Sequence, residues 1–221
     1  MSFFTRLLPF IPFECAICAA WPSSAFEGVT GVCQTCIRQH AKAPQFPIPI
    51  GLNDCAAAVD FDAPWSALIS RYKFAPEPGL SRLFAGLMLR NERIQALIDN
   101  ADVLIPLPLS LERLEERGFN QALSLAKHLA RDKLIAHALI KTRDTVPQRT
   151  LDRDARQRNI ANAFALQDNT DKAFKGKHIL LIDDVTTTGA TLAAAAEPLK
   201  KAGAASVSAV VIAHTPLSTN D

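Results

Sequence analysis

Among its 221 residues the chain has one tyrosine, two tryptophans and two methionines, and its formal net charge is only +2. It has no apolar stretch long enough to cross a bilayer, so membrane insertion is not expected. With 24 Lys and Arg set against 22 Asp and Glu, the whole surface cannot act as a field for polyanions, and any basic contact must be local. The five histidines, His40, His128, His137, His178 and His214, are scattered and form no recognisable triad or metal pair. No internal repeat or low-complexity segment is present. A Walker-type nucleotide loop requires G-x-x-x-x-G-K-[ST], and the only Gly-Lys pair, Gly176-Lys177, is followed by His178, which excludes it. Aromatic residues able to stack bases are few and mostly N-terminal, which argues against sequence-tolerant single-strand binding through stacking.

The N-terminal residues Phe3, Phe4, Leu7, Leu8, Phe10, Ile11 and Phe13 resemble an export signal in composition only. Arg6 and two prolines interrupt the run, and no small-x-small cleavage site follows. A cytoplasmic location is the expectation, and it agrees with reduced thiols.

Four of the five cysteines form two pairs, Cys15-x2-Cys18 and Cys33-x2-Cys36, separated by fourteen residues. Each pair can chelate from one tight knuckle, and two knuckles complete a tetrahedron around Zn²⁺. With four protein thiolates the site leaves no position for water, so the metal would be structural. The alternative, two disulfides in a secreted domain, lacks an export signal to support it. Cys55, beside Ala56-Ala57-Ala58-Val59, reads as a small buried hydrophobe.

The most informative run is His178-Ile-Leu-Leu-Ile-Asp183-Asp184-Val-Thr186-Thr187-Thr188-Gly189-Ala190-Thr191-Leu192. Ile179 to Ile182 has the branched, uninterrupted apolar character of a central parallel strand. Ligands of open α/β sheets bind beyond the C-terminal ends of the strands, so Asp183 and Asp184 are expected there together. The small Thr, Gly and Ala residues that follow allow backbone N–H groups to close on a phosphate, with Gly189 free to adopt a positive φ. An Ala-rich helix after them adds its N-terminal dipole. Acids beside an anion cradle suit a ribose diol and its 5-phosphate. The run resembles the 5-phosphoribosyl-1-pyrophosphate (PRPP) signature of type I phosphoribosyltransferases.

Around that run the pattern alternates. Ala56 to Phe61, Asp102 to Leu107, Ala138 to Thr142, Ala163 to Leu166, Ile179 to Ile182 and Val207 to Ala213 read as strands. Helices are expected over Pro64 to Tyr72, Leu80 to Arg90, Asn120 to Arg131 and Thr191 to Lys201, the last kinked by Pro198 and stopped by Gly203. The fold class is α/β: a mostly parallel sheet with helices on both faces, preceded by a small four-cysteine zinc module. The module would occupy residues 1–48 and the larger domain 49–221, with the Pro-rich stretch from Pro44 to Pro49 as linker. A module of this size would not fold readily without its metal.

Ile105-Pro-Leu-Pro-Leu109, then Arg113 and Arg117-Gly-Phe-Asn-Gln-Ala122, then Arg143, Gln148, Arg158 and Asn159, then the Asp-Asp-Val-Thr-Thr-Thr-Gly run, occur in order behind the cysteine module. Over nearly the whole chain this is similar to the ComF family of competence-associated, phosphoribosyltransferase-like proteins. The resemblance implies that Asp183 and Asp184 hold the ribose hydroxyls and a PRPP-bound Mg²⁺, and that Thr186, Thr187, Thr188, Gly189, Ala190 and Thr191 hold the 5-phosphate. Arg117, with Arg113 second, would face the pyrophosphate, so Asp183, Asp184 and Arg117 are the candidate catalytic residues. Lys141 and Arg143 open a basic segment that continues through Arg149, Arg153, Arg156 and Arg158. In related transferases such a loop closes over PRPP, but it could equally serve as a nucleic-acid patch or a solvated loop.

Where purine-salvage relatives often carry an Asp base in the phosphate loop, this chain has Thr187. That narrows the acceptor without excluding catalysis. Two functions follow from the resemblance. One is Mg²⁺-dependent transfer of ribose 5-phosphate to an unidentified nitrogen acceptor, in nucleoside metabolism or DNA uptake. The other is a non-catalytic, PRPP-responsive module that contacts single-stranded DNA or competence-machinery proteins, with Trp21 and Phe26 as the only plausible stacking residues. Acceptor and oligomeric state are not legible in the residues.

Overall fold

The computed structural model describes residues 13–23, 29–74, 78–142, 163–167 and 171–216. Its centre is a four-stranded, all-parallel sheet of β1 (Cys55–Asp60), β2 (Val103–Pro106), β5 (His178–Thr186) and β6 (Ser206–His214), in the order β1-β6-β5-β2. Apolar residues fill both faces of every strand, because each face has its own cover. Ala56, Ala58, Leu104, Leu180, Ile182, Val210 and Ile212 point to one core cluster. Their neighbours Cys55, Ala57, Val103, Ile105, Ile179, Leu181, Ala209 and Val211 point to the other. This is the two-residue period of a doubly covered sheet.

The first face is covered by α2 (Trp65–Phe74), α3 (Pro78–Leu89), α4 (Glu92–Asn100) and α6 (Gln121–Leu129), which bury Leu68, Tyr72, Phe84, Met88, Ile94, Leu125 and Ala126. Helix α4 did not emerge from the sequence pattern. It starts where the Asn91 side chain accepts hydrogen bonds from the N–H groups of Arg93 and Ile94, a local cap that supplies two of the first-turn donors with a partner. A short helix α5 (Leu111–Arg117) buries no residue and ends at Gly118, whose φ of 73° allows its N–H to close on Leu114 O. On the second face lies α8 (Ala190–Lys201), with Leu192, Ala195, Ala196 and Leu199 buried and Pro198 inside it. A four-residue helix α7 (Asp171–Phe174) precedes β5.

The segments 138–142 and 163–166, expected as strands, do pair, but not in the central sheet. β3 (Leu139–Lys141) and β4 (Phe164–Leu166) form a separate antiparallel ribbon. Leu139 and Phe164 give it one apolar side toward the second cluster, while Ile140 is exposed. Only one face is buried, so an antiparallel ribbon is sufficient.

The cysteine module is not a separate body. Val29, Val32 and Ile37, the last on α1 (Gln34–His40), share one core cluster with Trp65, Leu68 and Leu83 of the sheet domain. The Trp65 indole donates to His40 O at 2.8 Å. The expected linker is likewise seated on the larger domain: the Phe46 ring stacks on His214 with centroids 4.1 Å apart. Among the described residues no helix is long and apolar enough to cross a membrane.

Candidate functional site

Strand β5 runs straight through both acids, and this divides them. Successive residues of a strand face opposite sides, so Asp183 and Asp184 open in different directions. Asp183 lines a cavity of about 80 Å³ together with Val185, Thr186, Thr187, Thr188, Gly189, Ala190, Thr191 and Leu192. The loop takes this shape because Gly189 adopts a φ of 74° and heads α8 with no side-chain cap. Gly189 itself offers no capping side chain, and the Ala190 N–H at the head of the helix donates to Thr188 Oγ1 at 3.4 Å, so helix N–H groups and Thr hydroxyls meet at the same place. Thr186 is buried, whereas Thr187 and Thr188 are exposed.

Asp184 turns instead toward two cations. Its Oδ2 lies 3.4 Å from Lys73 Nζ and 3.7 Å from Arg117 Nη1, while its Oδ1 accepts from Val185 N–H. Asp183 Oδ1 accepts from Asp184 N–H at 2.8 Å. Burial, and after it the neighbouring Asp184 charge, push the Asp183 carboxyl up to about 7.

The Arg117-Gly-Phe-Asn-Gln stretch supplies the platform. Gly118 reverses the chain, and Phe119 packs edge-on to Tyr72 at 5.8 Å. Asn120 caps α6 through Leu123 N–H and donates to Leu107 O at the end of the β2 loop. Gln121, 1 % exposed, accepts from Arg117 Nη1 and donates to the backbone carbonyl of Lys73, and its own carbonyl accepts from the Tyr72 hydroxyl. Arg117 is thus brought to the carboxylates. Arg113 is not: it is exposed on α5 and does not line the cavity. Lys141 ends β3, also away from that lining. Arg143, Gln148, Arg149, Arg153, Arg156, Arg158 and Asn159, like Phe26, lie outside the described residues.

Lys73, Phe74, over whose ring the Arg117 guanidinium lies with its carbon 5.8 Å from the centroid, and the bridging role of Gln121 were not anticipated. Gln121 stood inside a quoted motif, but nothing in its spacing says that its amide joins two chain segments. Lys73 sits in Tyr72-Lys73-Phe74, at the end of an amphipathic helix, where a cation ordinarily points to water.

The ligand atoms of Cys15, Cys18, Cys33 and Cys36 all lie within 4.8 Å of one another. Cys18 and Cys33 sulfurs are 3.8 Å apart, close to the edge of about 3.8 Å implied by a tetrahedron with Zn–S bonds of about 2.3 Å. Burial works against a Cys15 thiolate, but the N–H groups of Cys18, Cys33 and Ile17 outweigh it and bring Cys15 down to about 6. Burial drives Cys36 the other way. The donor set and spacing fit a structural Zn²⁺ held by four thiolates.

A parallel sheet whose central strand carries two adjacent acids and runs into a Thr/Gly loop, together with four cysteines placed to hold a metal ion, is the architecture of a phosphoribosyltransferase-like protein with a zinc-type module. The phosphoribosyl transferase domain family matches residues 117–220. Over 228 residues the chain is 29% identical to the DNA utilization protein YhgH of Escherichia coli O6:H1, spanning 93% of this chain and 98% of that protein. It is 34% identical to Competence protein F of Haemophilus influenzae over 146 residues, 63% of each chain. With Competence protein ComFC of Bacillus subtilis the identity is 36% over 145 residues, 65% of this chain and 57% of the other. These similarities support the ComF family, with a phosphoribosyltransferase-like domain.

Proposed function

We propose that the chain binds PRPP with Mg²⁺ and transfers its ribose 5-phosphate to a nitrogen acceptor, as a phosphoribosyltransferase-like component of DNA uptake or utilisation. The observation that carries this reading is the single cavity formed by Asp183 and the Thr186–Thr191 loop, with Arg117 held behind it at Asp184. In this reading the loop takes the 5-phosphate, and Asp183 accepts hydrogen bonds from the ribose diol. Arg117 faces the pyrophosphate, and the acids hold Mg²⁺ through oxygen, the donor that this ion prefers. In the reaction the C1–O bond to pyrophosphate breaks, a C1–N bond forms, the leaving group takes the electron pair, and the acceptor nitrogen gives up a proton. Zn²⁺ on Cys15, Cys18, Cys33 and Cys36 stabilises the module assigned to residues 1–48, and residues 49–221 carry the chemistry.

One observation favours a second reading, a PRPP-responsive binding module for single-stranded DNA or a competence protein. Thr187 is exposed where an acidic base would stand, so the loop itself supplies no general base. The names of the relatives, DNA utilization and competence, are compatible with both readings.

Calorimetric titration of PRPP with Mg²⁺ into the wild type and an Asp183→Asn/Asp184→Asn variant, with zinc content measured in parallel, tests the proposal. Saturable binding that vanishes in the variant is expected. A folded, zinc-loaded wild type that binds no PRPP would overturn it. Pyrophosphate release on adding bases or amines then separates the enzyme from the binding module.

A further inference from the structure

We propose that Pro49 is a positioning residue: it braces the Thr186–Thr191 loop from outside the cavity, and through the strap that carries it, metal binding at the four cysteines and phosphate binding at the loop strengthen one another. The inference rests on the PRPP reading above in taking that loop as the phosphate site. Its first support is the short chain path from one site to the other. Cys33 stands at the N-cap of α1 and Cys36 lies within it, so two of the four thiolates hold one helix. That helix has seven residues, too few to keep its shape unaided. Its last residue, His40, offers its carbonyl to the Trp65 indole at 2.8 Å. Directly after it, residues 41–52 run over the larger domain as a strap.

The strap meets the wall of the cavity twice. Phe46 stacks on His214, the residue paired with Thr186 in the β5–β6 register. Pro49, itself buried, lies against Gly189 so closely that no Cβ would fit there. The Pro49 carbonyl then accepts from Leu52 N–H at 3.0 Å, closing a turn in which Gly51 has a φ of 95°, and a Cβ on Gly51 would meet Ala193 Cβ at 3.6 Å. Gly189 and Ala193 share one side of the first turn of α8, four positions apart, and the strap's turn rests on that side. Thr186 and Gly189 line the cavity, whereas Phe46 and Pro49 do not. The strap therefore supports loop residues without occupying their cavity. An unsupported glycine has wide backbone freedom, which a converging set of loop N–H groups must give up when an anion arrives. A rigid proline ring against Gly189 removes part of that freedom beforehand, which lowers the cost of binding. Metal release loosens α1, where the strap begins, while the Phe46–His214 stack stays as a second anchor. The coupling is accordingly partial, and by linkage it acts equally in both directions.

The test uses the full chain, wild type and Pro49→Ala, which loses the ring atoms that touch Gly189. Calorimetry gives the affinities of the zinc-loaded proteins for inorganic phosphate, ribose 5-phosphate, and PRPP with Mg²⁺, and melting curves with zinc content check the fold. Competition with a chelator gives zinc affinity with and without saturating ribose 5-phosphate or inorganic phosphate. All three probes should bind Pro49→Ala about fivefold more weakly than wild type. Saturating ribose 5-phosphate should tighten zinc about fivefold in the wild type and less than about twofold in Pro49→Ala. A proline that served stability alone would lower the melting temperature and leave both affinities as they were. Unchanged probe affinity in folded, zinc-loaded Pro49→Ala overturns the proposal, as does a wild-type zinc affinity indifferent to the bound probe; PRPP binding by the wild type then leaves the PRPP reading standing. Should Pro49→Ala fail to fold, the wild-type zinc titration decides alone. If the wild type binds inorganic phosphate with the expected zinc coupling but neither sugar phosphate, the proposal stands and the PRPP reading falls. A wild type that binds no probe overturns both.

Discussion

Pro49 lies against Gly189, so closely that a Cβ added to Gly189 would stand 2.1 Å from Pro49 Cγ. The segment leading out of the cysteine module therefore rests on the phosphate loop, and the hydrogen at Gly189 is what leaves room for it. The same residue has a φ of 74°, a conformation that L residues with side chains rarely adopt. Gly189→Ala should accordingly fail on two counts, strain in the loop and a clash with Pro49. The expected outcome is a loss of about 1–3 kcal/mol of stability in denaturant titration and loss of ribose 5-phosphate binding. An alanine variant that binds as the wild type does would show that the loop can rebuild without this contact.

Metal removal is expected to reach beyond the module. Val29, Val32 and Ile37 lie in the same core as Trp65, Leu68 and Leu83, and Gly31 is packed so closely that a Cβ there would meet Leu83 Cδ1 at 3.1 Å. Releasing the four thiolates from Zn²⁺ frees these groups from one side of a shared core, so chelation should lower the melting temperature of the whole chain and not merely unfold residues 13–41. Cys36→Ser, which removes a buried ligand, should have the same effect at full zinc concentration. Hydrogen exchange checks the coupling: amides of α2 and α3 should lose protection together with those of α1. Protection unchanged in α2 and α3 after metal loss would mean that the module contributes nothing to the larger domain.

How far the sequence could be read follows from which interactions are local. The Ile179–Ile182 strand, the Thr/Gly loop and the cysteine knuckles declare themselves over a few residues, because branched apolar runs, small-residue turns and paired thiols each have a short period. The parallel sheet was legible for the same reason: Ala56–Val59, Val103–Ile105 and Val207–Ala213 are apolar on both faces, as only doubly covered strands are. Helix α4 was missed although its signals are local: Asn91 is a helix cap followed by Glu92, and Ile94, Leu97 and Ile98 recur at helical spacing. The β3–β4 ribbon was legible as strands but not as a separate sheet, since partner choice is a long-range property. Lys73 was out of reach altogether: its distance to Asp184 spans more than a hundred residues of sequence, and Gln121 sets that distance through bonds to backbone and guanidinium that no spacing encodes. The Pro-rich segment read as a linker is also packed on the larger domain, where Phe46 stacks on His214, a long-range contact that composition does not encode.

The Asp183 carboxyl gives the last prediction its sign. Burial and the adjacent Asp184 charge raise it from the ordinary range to about 7, so the folded protein holds this proton more tightly than the unfolded chain does. The folded state binds more protons than the unfolded state between about pH 4 and pH 7, and stability must therefore fall as pH rises through that window. The contribution is fully present below about pH 4 and gone above about pH 7, with a total of roughly 2–4 kcal/mol at about 1.4 kcal/mol for each unit of displacement. Asp183→Asn removes the titrating group and should flatten this part of the curve, leaving the variant more stable than the wild type at pH 8 by a similar amount. The diol contact asks for the opposite state, because only the ionised carboxylate accepts from both hydroxyls. Ribose 5-phosphate affinity should then strengthen as pH rises toward 7, and because the ligand's own phosphate also loses protons near pH 6, the carboxyl is read as the proton release on binding at pH 6 by the wild type in excess of that by Asp183→Asn. Calorimetry at pH 6 in buffers of different ionisation enthalpy measures that release directly. Proton uptake on binding would mean that the sugar meets a neutral Asp183, and a stability curve identical for wild type and Asp183→Asn would place the ionisation outside the protein's buried charges.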